Sequence, residues 1–338
     1  MRFATPYAPP RVPGGIELDL TRNEGRPPDA TLLASLQQQP DIVNRYPSTS
    51  RLTEMIATLR SVSSEQVLVT AGADDALLRC GSALLEPGTR AVTTTPTFEM
   101  VARYALLQRA DLVEVPWRGA DFPTEEVTAR TEPGAVCLVV SPNNPTGEVL
   151  DSASLARLAD RFEYVVLDAA YTEFSDVDLT STAIGIPNVI MVRTLSKAWG
   201  LAGLRVGYAI ADPAMIGLLS RHGSPYPVSR PSLVLAEAVL ESSSTDAYVG
   251  SVRKERDVLE RLLDRIGLHR TSSHGNFVYF ESSESEAIHA GLLEKGIAVR
   301  RFDHIADAIR ISLPGDPAEF EKLCKALREV ATSRKADG

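Results

Sequence analysis

The sequence predicts an α/β fold, a mostly parallel sheet covered by helices on both faces and followed by a smaller α+β unit. Three observations carry this expectation. Short apolar runs alternate with helical patterns along residues 67–210, the run 135–140 is apolar throughout, and after about Thr245 the rhythm changes to one long charged helix and sparser strands. Seven runs read as strands of the large sheet: 67–70, 91–94, 112–115, 135–140, 164–167, 189–192 and 206–210. Helices are predicted between them over 73–85, 98–108, 124–130 and 152–161, the first stopped by Glu86-Pro-Gly88. Ahead of the sheet, Leu52, Met55, Ile56 and Leu59 recur at helical spacing within 51–60, and a short helix is predicted over 30–38 in an irregular arm rich in Pro and Gly. The later unit is predicted to hold helix 247–266, strands 277–280 and 309–312, and a last helix over 317–331. The expected division is a large domain over 39–245, with 1–38 and 246–338 forming the arm and the small domain.

Composition narrows the function. The 338 residues carry 35 Lys+Arg against 44 Asp+Glu, a formal charge of −9. Such a surface repels phosphate backbones and anionic headgroups, so nucleic acid and membrane are poor partners. Cys80, Cys137 and Cys324 have no CxxC spacing, which speaks against a disulfide framework or a thiolate metal site and for a reducing compartment. His222, His269, His274, His289 and His304 show no metal-ligand spacing, so no metal is expected. The first ten residues lack an apolar leader core, and the longest apolar run, 135–140, is too short to span a bilayer. A cytoplasmic globular enzyme is expected. Phosphate-loop, dinucleotide, zinc-protease and serine-elbow motifs are absent from the sequence.

Four clusters follow predicted strand ends, where open parallel sheets bind ligands. Ser141-Pro-Asn-Asn-Pro-Thr-Gly147 follows run 135–140 and reads either as a turn fixed by its residue types or as a site. Asp168-Ala-Ala-Tyr171 follows run 164–167; a carboxylate there needs a cation or donors, or serves as a local cap. Thr194-Leu-Ser-Lys197 follows run 189–192, with Arg205 among the glycines downstream. Hydroxyls with an arginine make an anion site, and a lysine beside one is placed for covalent chemistry; the alternative is a solvated Lys and Arg on a loop. Thr70-Ala-Gly-Ala-Asp-Asp75 opens a helix whose free N–H groups could face a phosphate.

Taken in order, these clusters resemble the fold-type I pyridoxal-phosphate enzymes, specifically class I/II aminotransferases of the histidinol-phosphate aminotransferase group. Arg45-Tyr-Pro47, Thr95-Pro-Thr-Phe98, Asn276-Phe277 and Ile309-Arg-Ile-Ser312 extend the likeness along nearly the whole chain. The resemblance implies pyridoxal 5'-phosphate bonded through its aldehyde to Lys197, its ring nitrogen held by Asp168, its phenolic oxygen by Asn144 and Tyr171, and its ring stacked on Phe98. It assigns the phosphate to Ser196, Arg205, Thr194, the N–H groups of Ala73 and Asp74, and Tyr46 of a neighbouring subunit, hence a homodimer with shared sites. Lys197, Asp168 and Tyr171 would be catalytic, and Arg310 with Asn144 would bind substrate. The implied reaction moves an amino group between an amino acid or amino-alcohol phosphate and a 2-oxo acid such as 2-oxoglutarate. The alternative is a decarboxylase, lyase or oxidase of the same fold.

Two departures stand out. Where the family reads Asp-Glu-Ala-Tyr, this chain has Ala169 after Asp168, and where the family has Asn-Glu-Asn-Pro-Tyr-Gly it has Arg22-Asn-Glu-Gly-Arg-Pro-Pro28, without the tyrosine. Arg22 and Arg26 read equally as holding an acidic substrate tail or as lying on the surface.

Overall fold

A computed structural model describes residues 10–37, 41–242, 244–302 and 305–336. His304 and the 38/39 boundary lie outside the described residues. Two sheets organise the chain. The larger uses Val67–Thr70 (β2), Arg90–Thr95 (β3), Asp111–Pro116 (β4), Val136–Val140 (β5), Tyr164–Asp168 (β6), Val189–Thr194 (β7) and Gly207–Ile210 (β8), while Leu18–Leu20 in the arm is β1. Its order is β2-β8-β7-β6-β5-β3-β4. β8 runs antiparallel to both neighbours and the other pairings are parallel.

β5 shows why apolar runs become central strands. All five residues are buried. Val136, Leu138 and Val140 face one layer with Ala76, Leu77, Val101, Ala105 and Leu219, while Cys137 and Val139 face the other with Leu155, Leu158 and Ala183. A period-2 strand buried on both faces has no polar side to offer. Helix Gly72–Leu84 covers the first face and helix Ser152–Arg161, capped by Asp151 on Ser154 N–H at 2.7 Å, covers the second.

The smaller sheet uses His269–Arg270 (β9), Phe277–Glu281 (β10), Ile297–Arg301 (β11) and Ala308–Ser312 (β12), in the order β1-β11-β12-β10-β9. β1 joins it in parallel, Leu18 opposite Ile297 and Leu20 opposite Val299. Its core takes Leu259 and Leu263 from helix Asp246–Ile266, Ile288 and Leu292 from helix Ser285–Glu294, and Leu323 and Leu327 from helix Pro317–Ala336.

Several elements differ from the sequence expectation. The arm helix is a 3-10 turn, Ala30–Leu33, running into Ala34–Gln37. β1, β9, β11 and helices Pro213–Arg221, Arg230–Ser242 and Ser285–Glu294 were not anticipated. β1 and β9 are too short to show a period, and both exist because a neighbouring strand supplies their hydrogen bonds.

Candidate active site

β5, β6 and β7 lie side by side, so their carboxyl ends bring three of the four clusters together. Asp168 is the last residue of β6, Thr194 the last of β7, and Asn143 and Asn144 follow β5. Asp168, Thr194 and Asn144 open on a cavity of about 480 Å³.

Asp168 is 3% exposed, and its Oδ1 accepts the Ala170 N–H at 3.1 Å. The local cap and the buried acid of the sequence reading are thus both present. Burial pushes its carboxyl up to about 7, against the pull of the Ala170 N–H; the Asp74 charge pushes the same way as burial and Lys197 opposes it. A carboxyl in this state gains a cation's company at little further desolvation cost. Lys197 Nζ donates to the Arg22 carbonyl at 3.4 Å and lies 5.7 Å from the Tyr171 ring centroid.

The next cluster is held by Asn143, fully buried. Its Oδ1 accepts from Thr97 Oγ1 at 2.7 Å and its Nδ2 donates to the Pro96 carbonyl and Thr146 Oγ1, both at 2.9 Å. With that side chain committed to the turn, Asn144 is the asparagine presented to the cavity. Its Oδ1 accepts from Arg310 Nη1 at 2.6 Å, while Arg310 Nη2 donates to the Thr21 carbonyl at 2.7 Å.

An anion cradle stands at the opposite wall. The Thr194 hydroxyl donates to Ser196 Oγ at 2.8 Å and accepts the Ser196 N–H at 3.1 Å, which leaves the Ser196 hydroxyl hydrogen available to an anion. Arg205, at φ +52, donates to the Ala202 carbonyl at 3.1 Å and to Asp74 Oδ2 at 3.2 Å. Beneath it, Gly72 begins its helix at φ +80, and a Cβ there would meet Arg205 Nη2 at 2.6 Å. The guanidinium therefore rests on a helix N-terminus that only glycine lets it approach, beside Ala73 and Asp74. Phe98 also lines the cavity.

Tyr46 is the one residue of the sequence-derived set outside this cavity; it is 80% exposed and stacks on Tyr226 at 4.5 Å. Arg26 pairs with Asp316 at 3.5 Å, whereas Arg22 lines the cavity. Sequence reasoning missed Asn23, Arg300 and Phe302. Arg300 stands directly opposite Arg310 across the β11–β12 ladder and also lines the cavity. Its signal was an arginine in the otherwise apolar run from Ile297, visible only once that run is recognised as a strand.

A mostly parallel α/β sheet with a lysine, a buried acid and an anion cradle at its carboxyl edge defines a pyridoxal-phosphate-dependent aminotransferase of fold type I. The chain belongs to the class I and II aminotransferases, whose family profile matches residues 16–327. It is 34% identical to a histidinol-phosphate aminotransferase of Xanthomonas euvesicatoria, covering 88% of this chain and 85% of that one. Against histidinol-phosphate aminotransferase 1 of Trichormus variabilis it is 30% identical over 95% and 94% of the two chains. Among solved structures, the histidinol-phosphate aminotransferase of Sinorhizobium meliloti in complex with pyridoxal-5'-phosphate superposes with TM-score 0.83 at 25% identity, covering 94% and 92%. Pyridoxal 5'-phosphate suits the donor set here: a buried acid for its ring nitrogen, a hydroxyl-and-guanidinium cradle for its phosphate and an amine for its aldehyde. Among the described residues, no helix is long and apolar enough to cross a membrane.

Proposed function

We propose that this aminotransferase takes an amino donor bearing an anionic phosphate, of the amino-alcohol phosphate kind that histidinol phosphate represents, and passes the amino group to a 2-oxo acid such as 2-oxoglutarate. The observation that carries it is the facing pair Arg300 and Arg310, both lining the cavity. Like charges directly opposite on antiparallel strands destabilise a sheet; a substrate anion between them removes the penalty. Arg22 adds a third cation to the same wall.

In this reading Ser196, Thr194, Arg205 and the N–H groups of Ala73 and Asp74 hold the cofactor phosphate, Phe98 covers the ring, and Asn144 and Tyr171 bind its phenolic oxygen. The bound cofactor supplies an electron-withdrawing ring that acidifies the substrate carbon bearing nitrogen. Asp168, kept ionised by a protonated ring nitrogen, sustains that withdrawal. Lys197 Nζ would take the proton from that carbon as base and deliver it as acid to the carbon that was the cofactor's aldehyde. Arg310 and Arg300 fix the anionic end so that the carbon stays within reach of Lys197.

The proposal extends to a homodimer in which Tyr46 reaches the partner's phosphate site, supported by its exposure beside Tyr226. A large domain over 39–245 and a small one from 1–38 and 246–338 is supported by the two separate sheets. Cytoplasmic residence is supported by three buried free thiols. The deciding experiment screens phosphorylated, acidic and aromatic donors with 2-oxoglutarate and weighs the products. Turnover of the phosphorylated donor that requires the acceptor is expected. Turnover without an acceptor, or an Arg300→Ala enzyme as good on the phosphorylated donor as the parent, overturns the proposal.

A further inference from the structure

Asn23 sits where the arm, the small sheet and the large sheet meet. It is 1% exposed at φ +56, a region where asparagine is among the few non-glycine residues at ease. Its N–H donates to Ser312 Oγ at 3.0 Å, the Ser312 hydroxyl donates to Asn23 Oδ1 at 2.5 Å, and Asn276 Nδ2 donates to the Asn23 carbonyl at 3.2 Å. On its other side Asn23 Nδ2 donates to the Tyr171 hydroxyl oxygen at 3.2 Å.

The hydrogen-bond network sets which way the amide faces, Oδ1 toward Ser312 and Nδ2 toward Tyr171. Ser312 Oγ already accepts the Asn23 N–H, so its own hydrogen needs an acceptor, and Oδ1 is that acceptor. The amide nitrogen is thereby turned toward Tyr171. An amide nitrogen can only donate, so the phenol oxygen accepts and the phenol hydrogen must point elsewhere. Tyr171 is 5% exposed and lines the cavity, its ring set edge-on to Phe277 at 5.1 Å.

We infer that Asn23 is a positioning residue: locked by Ser312, its amide reserves the Tyr171 phenol hydrogen for the ligand in the cavity, making Tyr171 a donor to the cofactor's phenolic oxygen. This rests on the assignment of Tyr171 to that oxygen. Ser312 lies two residues beyond Arg310 on β12, so the strand that carries the substrate arginine also sets the direction of this proton.

The test reads the pH midpoint of the bound cofactor's visible absorbance in the holoenzyme. A donor to the phenolic oxygen stabilises its ionised form, so Tyr171→Phe is expected to raise the midpoint by about one pH unit. Asn23→Asp, whose carboxylate only accepts and draws the phenol hydrogen away, is expected to raise it by a similar amount. In a Tyr171→Phe background the same Asn23→Asp change is expected to add less than about 0.3 unit. Ser312→Ala, which frees the amide to turn, is expected to shift the midpoint in the same direction by less, and to be silent without the phenol. Equal shifts from Asn23→Asp with and without the phenol, or none with it, overturn the inference. A midpoint indifferent to Tyr171→Phe overturns the assignment of Tyr171 itself and is read separately from the Asn23 variants.

Discussion

At Asp168 two demands conflict. The acid must be buried to serve the cofactor's ring nitrogen, and burial is the main influence that lifts its carboxyl from an ordinary 3.8 to about 7. A folded pKa above the unfolded one means that protonation favours the fold. This contribution is fully present below about pH 4 and is lost as pH rises through about 7. The cofactor-free chain is therefore expected to lose thermal stability between pH 4 and 7 relative to Asp168→Asn, read as the difference in Tm between the two proteins. With cofactor bound, Asp168→Asn is expected to slow transamination on the order of 10²-fold in kcat. If Arg310 binds the donor's anion as proposed, Arg310→Ala, at ~1.5–3 kcal/mol per charged hydrogen bond, should raise the donor KM at least about 10-fold in steady-state kinetics. The lysine, acid and asparagine were legible because each stands at or just past a strand end in a motif that resembles the family's. Asn23 and Arg300 were not, since their roles depend on Ser312 and Arg310, which the chain brings to them only on folding.

At the scale of elements, the cradle depends on how helix Gly72–Leu84 begins. Gly72→Ala would strain a φ of +80 and press on Arg205. A loss of at least about 1 kcal/mol in urea unfolding and weaker retention of cofactor on dialysis are expected. A second tie lies under the site: Glu173 Oε1 accepts from Arg193 Nη2 at 2.6 Å and from Arg60 Nη2 at 2.8 Å. Burial pushes the Glu173 carboxyl up, but the two guanidinium groups outweigh it and hold the carboxyl below its usual range. Glu173→Ala leaves two cations facing a void and should cost about 3–5 kcal/mol of stability, measurable from the urea midpoint. All seven strands of the large sheet could be read from their apolar runs. In the small sheet only β10 and β12 could be read so: β1 and β9 are too short, and β11 ends in Arg300 and Arg301, charges that mask its period.

For the whole molecule, the proposed dimer has a direct check. Sedimentation of the holoenzyme at micromolar concentration is expected to give twice the 36.5 kDa chain mass. If the Tyr46 hydroxyl reaches the partner's phosphate site as proposed, Tyr46→Phe is expected to weaken cofactor binding about 5- to 10-fold. The two sheets also differ in how the chain assembles them. The large one takes its strands in a continuous stretch and is complete by Ile210. The small one pairs Leu18 with Ile297, so its first strand in chain order waits on its fourth. On the ribosome β1 therefore emerges with no partner and stays unpaired until residues 297–299 have been made. The pocket wall that includes Thr21, Arg22 and Glu24 can close only after β11 has emerged, and a nascent chain stalled before residue 297 would hold its lysine and acid without Arg300 and Arg310.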